Sequence, residues 1–322
     1  MTLPIPQSRR LDFSEIPIID VSSLVSGEND TATVGSIGTA CRNVGFIYIK
    51  NHGFPQILID NLLVAADEFF SRSMDDKNKV VVNERLRGYL PLRYRSYEGE
   101  AKAATSNQEG FWMSEERPIN SENRLDGPNL WPENSEALRI ALQAYYAAST
   151  ELSVVLQRAF SLALGKSESY FQELFTRQSS MLKLNHYPPQ ENPTDISNIG
   201  VVPHTDSGGF TILWQDHNGG LEIQSKSGEW VLAPPIAETF VINIGNTMQI
   251  WTDGEFSSTP HRVINRSGVN RYSIPFFVNP RWDVPVKPLI GETAKGSKEQ
   301  KFESYQLGKW RCSFPIAGIP EV

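Results

Sequence analysis

Three residues constrain the fold of this chain more than any others: His204 and Asp206, with Thr205 between them, and the distant His261. Side chains alternate along a strand, so an H-x-D pair presents an imidazole and a carboxylate to the same side. The fold must then return His261 to that side. Two imidazoles and one carboxylate on one face of a metal leave three coordination sites open, an arrangement suited to Fe(II), O₂ and a chelating co-substrate. Arg271 and Ser273 again alternate onto a common face. A planar guanidinium beside a hydroxyl is suited to gripping a carboxylate.

The stretch carrying these residues reads as strands and turns. Candidate strands cover 181–187, 200–204, 210–215, 221–224, 229–232, 239–244, 261–264 and 271–278. Asn218-Gly219-Gly220, Ser227-Gly228 and Asp253-Gly254 are turn signals between them. Short strands in this number predict a double-sheet jelly roll. Upstream, Leu138, Leu142, Tyr145, Leu152, Leu156 and Ala163 recur at helical spacing and Gly165 closes the run, which predicts one long scaffold helix over 135–164. Ile16–Asp20 and Gly45–Lys50 read as short strands, the second followed by an Asn51-His52-Gly53 turn. Asp30 or Thr31 caps a helix facing inward through Val34, Ile37 and Cys41. A second helix carries Leu58, Leu62, Ala65 and Phe69 on one face. Residues 74–134 are charged, aromatic and aperiodic; they read as an irregular functional segment in which Arg87-Gly88-Tyr89 and Gly110-Phe111-Trp112 stand out. Near the end, Ser297 and Gln300 have capping-box spacing ahead of a helix with Phe302 and Leu307.

Charge and composition narrow the partners. A net charge of −7 with no basic run argues against nucleic acid. No apolar stretch approaches the ~18 residues of a spanning helix, and the first residues lack a signal-peptide core, so no membrane partner is expected. Cys41 and Cys312 stand far apart in no metal-type spacing. They read as packing residues of a reduced, cytoplasmic enzyme without disulfides.

Several spaced motifs then occur in one order: Leu184-Asn185-His186-Tyr187-Pro188-Pro189, His204-Thr205-Asp206, Gly219-Gly220-Leu221-Glu222-Ile223, Asn243-Ile244-Gly245-Asn246, His261-Arg262-Val263 and Arg271-Tyr272-Ser273. Together with Ile16–Asp20 and Gly45–Gly53, they make the chain resemble the isopenicillin N synthase-like family of Fe(II) oxygenases, most of which use 2-oxoglutarate. The resemblance implies an α+β fold with a distorted double-stranded β-helix, or jelly roll, flanked by helices. Its expected division is an N-terminal mixed region over 1–134, scaffold helices over 135–177, and an Fe(II)/2-oxoglutarate jelly-roll domain with a C-terminal helix over 178–322.

The resemblance also implies roles. His204, Asp206 and His261 hold the iron, and no further catalytic residue is implied. Arg271 and Ser273 hold the distal carboxylate of 2-oxoglutarate, with Asn185 and Tyr187 also touching it. The co-substrate chelates iron through its 1-carboxylate and 2-keto oxygen, and its oxidative decarboxylation to succinate and CO₂ with O₂ drives removal of a hydrogen from a small-molecule substrate. Hydroxylation, desaturation and ring rearrangement are all outcomes of such chemistry. Tyr89, Phe111, Lys183, Leu213, Phe276 or Phe277, and Trp310 are expected to line the substrate pocket. Phe277 matches a family position on the substrate side, and Lys183 one where arginine is common. Such a lining suits a small aromatic or terpenoid specialised metabolite. His186 points away from its neighbours, His52 reads as structural, His217 as solvated, and Asp216 as a turn cap. Two rival readings are an oxidase of the isopenicillin N synthase type that uses no 2-oxoglutarate, and a non-catalytic small-molecule binding module.

Overall fold

The computed structural model describes residues 8, 16–28, 30–92, 106–119, 122–189, 199–291, 299–314 and 318–319. In chain order its elements are β1 (Ile18–Asp20), α1 (Ser22–Val25), α2 (Thr31–Asn43), β2 (Phe46–Lys50), α3 (Gln56–Phe70), α4 (Met74–Asn78), β3 (Gly88–Leu90), β4 (Glu109–Ser114), α5 (Glu136–Ala163) and α6 (Tyr170–Leu174). There follow β5 (Met181–Tyr187), β6 (Val201–His204), β7 (Phe210–Gln215), β8 (Leu221–Gln224), β9 (Trp230–Leu232), β10 (Thr239–Ile244), α7 (Asn246–Trp251), β11 (His261–Val263), β12 (Arg271–Val278) and α8 (Phe302–Ser313). The larger sheet runs β1-β2-β10-β7-β12-β5-β4-β3 and the smaller β6-β11-β8-β9. This is the α+β jelly roll, with helices around the larger sheet.

Local chemistry explains the scaffold. Asp30 caps α2 by accepting from the amides of Ala32 and Thr33. The long helix α5 buries Leu138, Leu142, Tyr145, Leu152, Leu156 and Phe160 and packs on α2, α3 and β12. Cys41 lies in that core, where burial pushes its thiol up to about 12. Cys312 differs from expectation: it is exposed on α8, and neither cysteine forms a disulfide.

Residues 74–134 are more regular than their sequence suggests. They contain α4, β3 and β4, and β4 pairs antiparallel with β5, extending the larger sheet. Every residue of β4 is buried. A strand covered on both faces shows no hydrophobic alternation, which is why its sequence looks aperiodic. The capping-box reading also fails. Helix α8 begins at Phe302, with Lys301 at its cap position and no side-chain cap; Ser297 lies outside the described residues.

Candidate active site

The two sheets supply different halves of the site. From the smaller sheet, β6 and β11 pair so that His204 and His261 are direct cross-strand partners, with ring centroids 4.3 Å apart. The register shifts between His261 and Val263, an irregularity of the kind that re-aims side chains. Asp206 follows β6 directly, and its Oδ1 lies 3.7 Å from His204 Nε2 and 3.8 Å from His261 Nε2. One ligand atom from each residue falls within a span of 4.8 Å, so the three could hold a metal ion.

Surrounding hydrogen bonds orient this set. The Nδ1 atoms of His204 and His261 face the carbonyls of Val202 and Thr259 at 2.9 and 3.2 Å. Donation from Nδ1 leaves each Nε2 with a lone pair for a cation, the usual arrangement behind a metal-binding histidine. Asp206 Oδ2 accepts from Thr211 Oγ1 at 2.6 Å and Asn243 Nδ2 at 2.8 Å, which turns Oδ1 toward the imidazoles. Burial acts to raise the Asp206 carboxyl, but His261 and His204 beside it, with the bonds from Asn243 and Thr211, hold it below the ordinary carboxylate range. Sequence reasoning misses Thr211 and Asn243 in this role; the motif containing Asn243 is visible there, but its partner is not.

From the larger sheet, β12 and β5 pair as Arg271 with Tyr187, Tyr272 with His186, and Ser273 with Asn185. Arg271 is 1% exposed and stands over the Tyr187 ring, 4.6 Å from its centroid. Its Nε donates to the Gly219 carbonyl, and Nη2 faces Gln215 Oε1 at 3.4 Å. The turn carrying Gly219 must come close: a Cβ on Gly220, which has φ +100°, would stand 2.6 Å from the Ile264 carbonyl oxygen. Asn185 Nδ2 donates to Ser273 Oγ at 3.2 Å, and Tyr187 Oη lies 3.4 Å from the same oxygen. Arg271 Nη1 and Asn185 Oδ1 are buried with no hydrogen-bond partner. A buried guanidinium nitrogen left open beside a hydroxyl fits a carboxylate ligand.

Both halves line one cavity of about 320 Å³. Of the residues expected near the substrate, Lys183, Leu213, Phe277 and Trp310 line this cavity and Tyr89 and Phe111 do not. Both are buried in the main core, Tyr89 bonded to Glu109 and Phe111 stacked on Trp131. Phe276 is core as well. Strand alternation explains the miss at Phe111: the cavity face of β4 belongs to Trp112, with Gln108 just ahead of the strand. Helix α8 closes another side with Gln306 and Trp310, and Phe314 follows at its C-terminal cap. Of the residues given no chemistry, Asp216 accepts from the Asn218 amide, His217 is exposed, and His52 packs edge-on against Phe240.

A jelly roll holding an H-x-D…H triad opposite a buried arginine defines a non-haem Fe(II) oxygenase. Residues 178–280 match the model of the 2OG-Fe(II) oxygenase superfamily, and residues 16–134 that of the non-haem dioxygenase N-terminal region named for morphine synthesis. Homoarginine-6-hydroxylase 2-ODD-C23 of Glycine max is 32% identical over 92% of this chain and 95% of its own. Clavatol oxidase claD of Penicillium crustosum is 32% identical over 85% of this chain and 88% of its own. The crystal structure of a full-length Neurospora crassa protein in complex with alpha-KG and thymine superposes with a TM-score of 0.79 at 26% identity, covering 90% of this chain and 94% of that one. The chain belongs to the 2OG-Fe(II) oxygenase superfamily, as an Fe(II)/2-oxoglutarate-dependent dioxygenase of the isopenicillin N synthase-like type. Among the described residues no helix is long and apolar enough to cross a membrane.

Proposed function

We propose that this dioxygenase oxidises a C–H bond of a small, largely apolar or aromatic specialised metabolite in the cytoplasm. His204, Asp206 and His261 hold the Fe(II), and Arg271 and Ser273 receive the 5-carboxylate of 2-oxoglutarate with help from Asn185 and Tyr187. When bound, iron with 2-oxoglutarate and O₂ supplies the oxidising chemistry, releasing succinate and CO₂. The protein's own part is to orient both partners and keep bulk water from the reacting carbon. Asn243 and Thr211 fix the carboxylate, the Val202 and Thr259 carbonyls fix the imidazoles, and Arg271 sets the direction of the co-substrate.

The observation that carries this reading is the buried, unpartnered Nη1 of Arg271, a residue that lines the same cavity as the triad. The substrate class rests on the rest of the wall, where Leu213, Phe277 and Trp310 are apolar and Lys183 meets an acidic substituent. Relatives named for homoarginine hydroxylation and clavatol oxidation support a small-molecule substrate. The test is a metabolite screen by mass spectrometry, scoring compounds that stimulate Fe(II)-dependent conversion of 2-oxoglutarate to succinate. A stimulating compound that gains oxygen or loses hydrogen in step with succinate is the expected result. Oxidation of a compound with no need of 2-oxoglutarate would support the oxidase reading instead.

A further inference from the structure

Strand β4 carries an anomaly that the triad and the carboxylate grip do not use. Gln108, just ahead of the strand, is 2% exposed and lines the cavity, yet neither its Nε2 nor its Oε1 has a hydrogen-bond partner. Trp112, four residues on along the same face, also lines the cavity with Nε1 buried and unpartnered. Buried amides in folded proteins are almost always hydrogen-bonded, because desolvating them alone is costly. Here both ends of one carboxamide lack a partner, on a residue that lines the cavity.

The residue between them is Gly110. A Cβ there would stand 2.8 Å from Lys183 Cε and 3.4 Å from the unpartnered Asn185 Oδ1. Gly110 therefore lets the Lys183 side chain lie across the strand between Gln108 and Trp112, its Nζ 5.2 Å from the Trp112 ring centroid, with Asn185 as the cross-strand partner of Gly110. The cavity wall beyond it is aromatic, since Trp112 stacks on Phe277 with centroids 5.6 Å apart and planes 20° apart. The co-substrate grip centres on Arg271 and Ser273 of β12, which β5 separates from β4, and Asn185 of β5 lies between the two.

We propose that Gln108 is a specificity-determining residue that reads a donor–acceptor edge, of the secondary-amide type, on a flat substrate ring seated in the cavity beside Gln108 and Trp112. A carboxamide presents one acceptor beside one donor pair, and a ring lactam or imide returns the complementary pair. The indole N–H of Trp112 adds a donor for a second acceptor on the same ring. A site that buries such groups rejects an analogue unable to pair with them, because its own polar atoms then stay unpaired. This proposal rests on the substrate reading above and assigns the polar part of that substrate.

The test uses the full chain loaded with Fe(II) and 2-oxoglutarate without oxygen, and two probes, 2-quinolone and N-methyl-2-quinolone, titrated by calorimetry. N-methylation removes the donor and keeps the ring. The expected result is binding of 2-quinolone at least about tenfold tighter than its N-methyl form, with the difference lost in Gln108→Met. Methionine keeps the length and removes the open amide, so Gln108→Met should unfold at the wild-type temperature or above. A destabilised Gln108→Met would show that the amide serves the fold and would overturn the proposal. Equal binding of the two probes to wild type, binding of neither, or an undiminished preference in Gln108→Met would each overturn it too. So would a loss confined to 2-oxoglutarate affinity, which would assign Gln108 to the co-substrate seat. If wild type bound no 2-oxoglutarate at all, the broader functional reading would fail, and that result is distinct from the others.

Discussion

The two faces of the sheet around β4, β5 and β12 are built from similar residue types and finished in opposite ways. On the cavity face, Asn185 Oδ1 and, on neighbouring β12, Arg271 Nη1 have no partner. On the other face, Glu109 is saturated: Oε2 accepts from Lys77 Nζ at 2.8 Å and from the Tyr89 hydroxyl, and Oε1 faces His186 Nδ1 at 2.7 Å. His186 is stacked between Phe70 and Tyr272, and the Tyr272 hydroxyl donates to Asp67. Buried charge is tolerated when it is paired and hydrogen-bonded, so the closed set can serve the fold unaided. The open set is complete only with a ligand. The contrast holds for the charged groups, Glu109 against Arg271, and is not a rule for every polar atom, since His186 Nε2 and Tyr145 Oη are buried without a partner away from the cavity.

The sharpest break of that contrast is at the metal. His204→Ala or His261→Ala should abolish 2-oxoglutarate turnover while far-UV circular dichroism and the unfolding temperature stay near wild type. Full turnover in either variant would reject the triad. Asp206→Glu should retain part of the metal affinity, because the charge stays and the geometry shifts.

On the closed face the expected loss is in stability. Glu109→Leu strands the Lys77 ammonium, 5% exposed, and breaking a buried pair from one side costs about 3–5 kcal/mol. Urea unfolding should show that loss, and adding Lys77→Met should recover much of it. A double variant no more stable than Glu109→Leu would mean that the carboxylate matters through Tyr89 and His186 rather than through the lysine.

Arg271 gives the next smaller effect, and it should appear in binding. Losing one partner of a desolvated charged grip costs ~2–4 kcal/mol, so Arg271→Ala should raise the 2-oxoglutarate dissociation constant roughly 30-fold or more. Arg271→Lys keeps the charge without the planar fork and should fall between. Anaerobic titration of the Fe(II)-loaded proteins measures both. Equal affinity across the three would remove Arg271 from the co-substrate site.

How much of this was legible in sequence follows the same division. Period two put Arg271 beside Ser273 and suggested His204 beside Asp206, although Asp206 lies two residues past the end of β6; the return of His261 came from the family motifs and not from spacing. The wall around β4 was not legible. With Glu109, Phe111 and Met113 buried on one face and Gln108 and Trp112 facing a buried cavity, nothing in the hydrophobic pattern tells the faces apart. That is how Phe111 was expected where Trp112 stands. Closed polar networks were invisible for another reason: Lys77, Glu109 and His186 meet only through the pairing of β4 with β5 and the packing of α4, which no local motif records.

The smallest effect should come from acid. Burial acts to raise the Glu109 carboxyl, but the bonds from His186, Lys77 and Tyr89, with the Lys77 charge, prevail and hold it below the ordinary glutamate range. A carboxylate depressed in the folded state adds stability that is fully present above its unfolded pKa, about 4.3, and is lost as pH falls through the lower folded value. Glu109→Gln removes that titration and keeps the side-chain shape. Its stability deficit against wild type, from urea unfolding of chelator-treated protein, should be constant from pH 7 to about 5 and shrink below about 4. Asp206 titrates in the same acid range, but in both proteins alike, so it cancels from the difference. Because burial opposes the stabilising bonds at Glu109, the change in the deficit is a residual of larger effects and should be smaller than the Lys77 penalty. A deficit that does not narrow in acid would show that the closed face is held by hydrogen-bond geometry and packing rather than by the charge on Glu109.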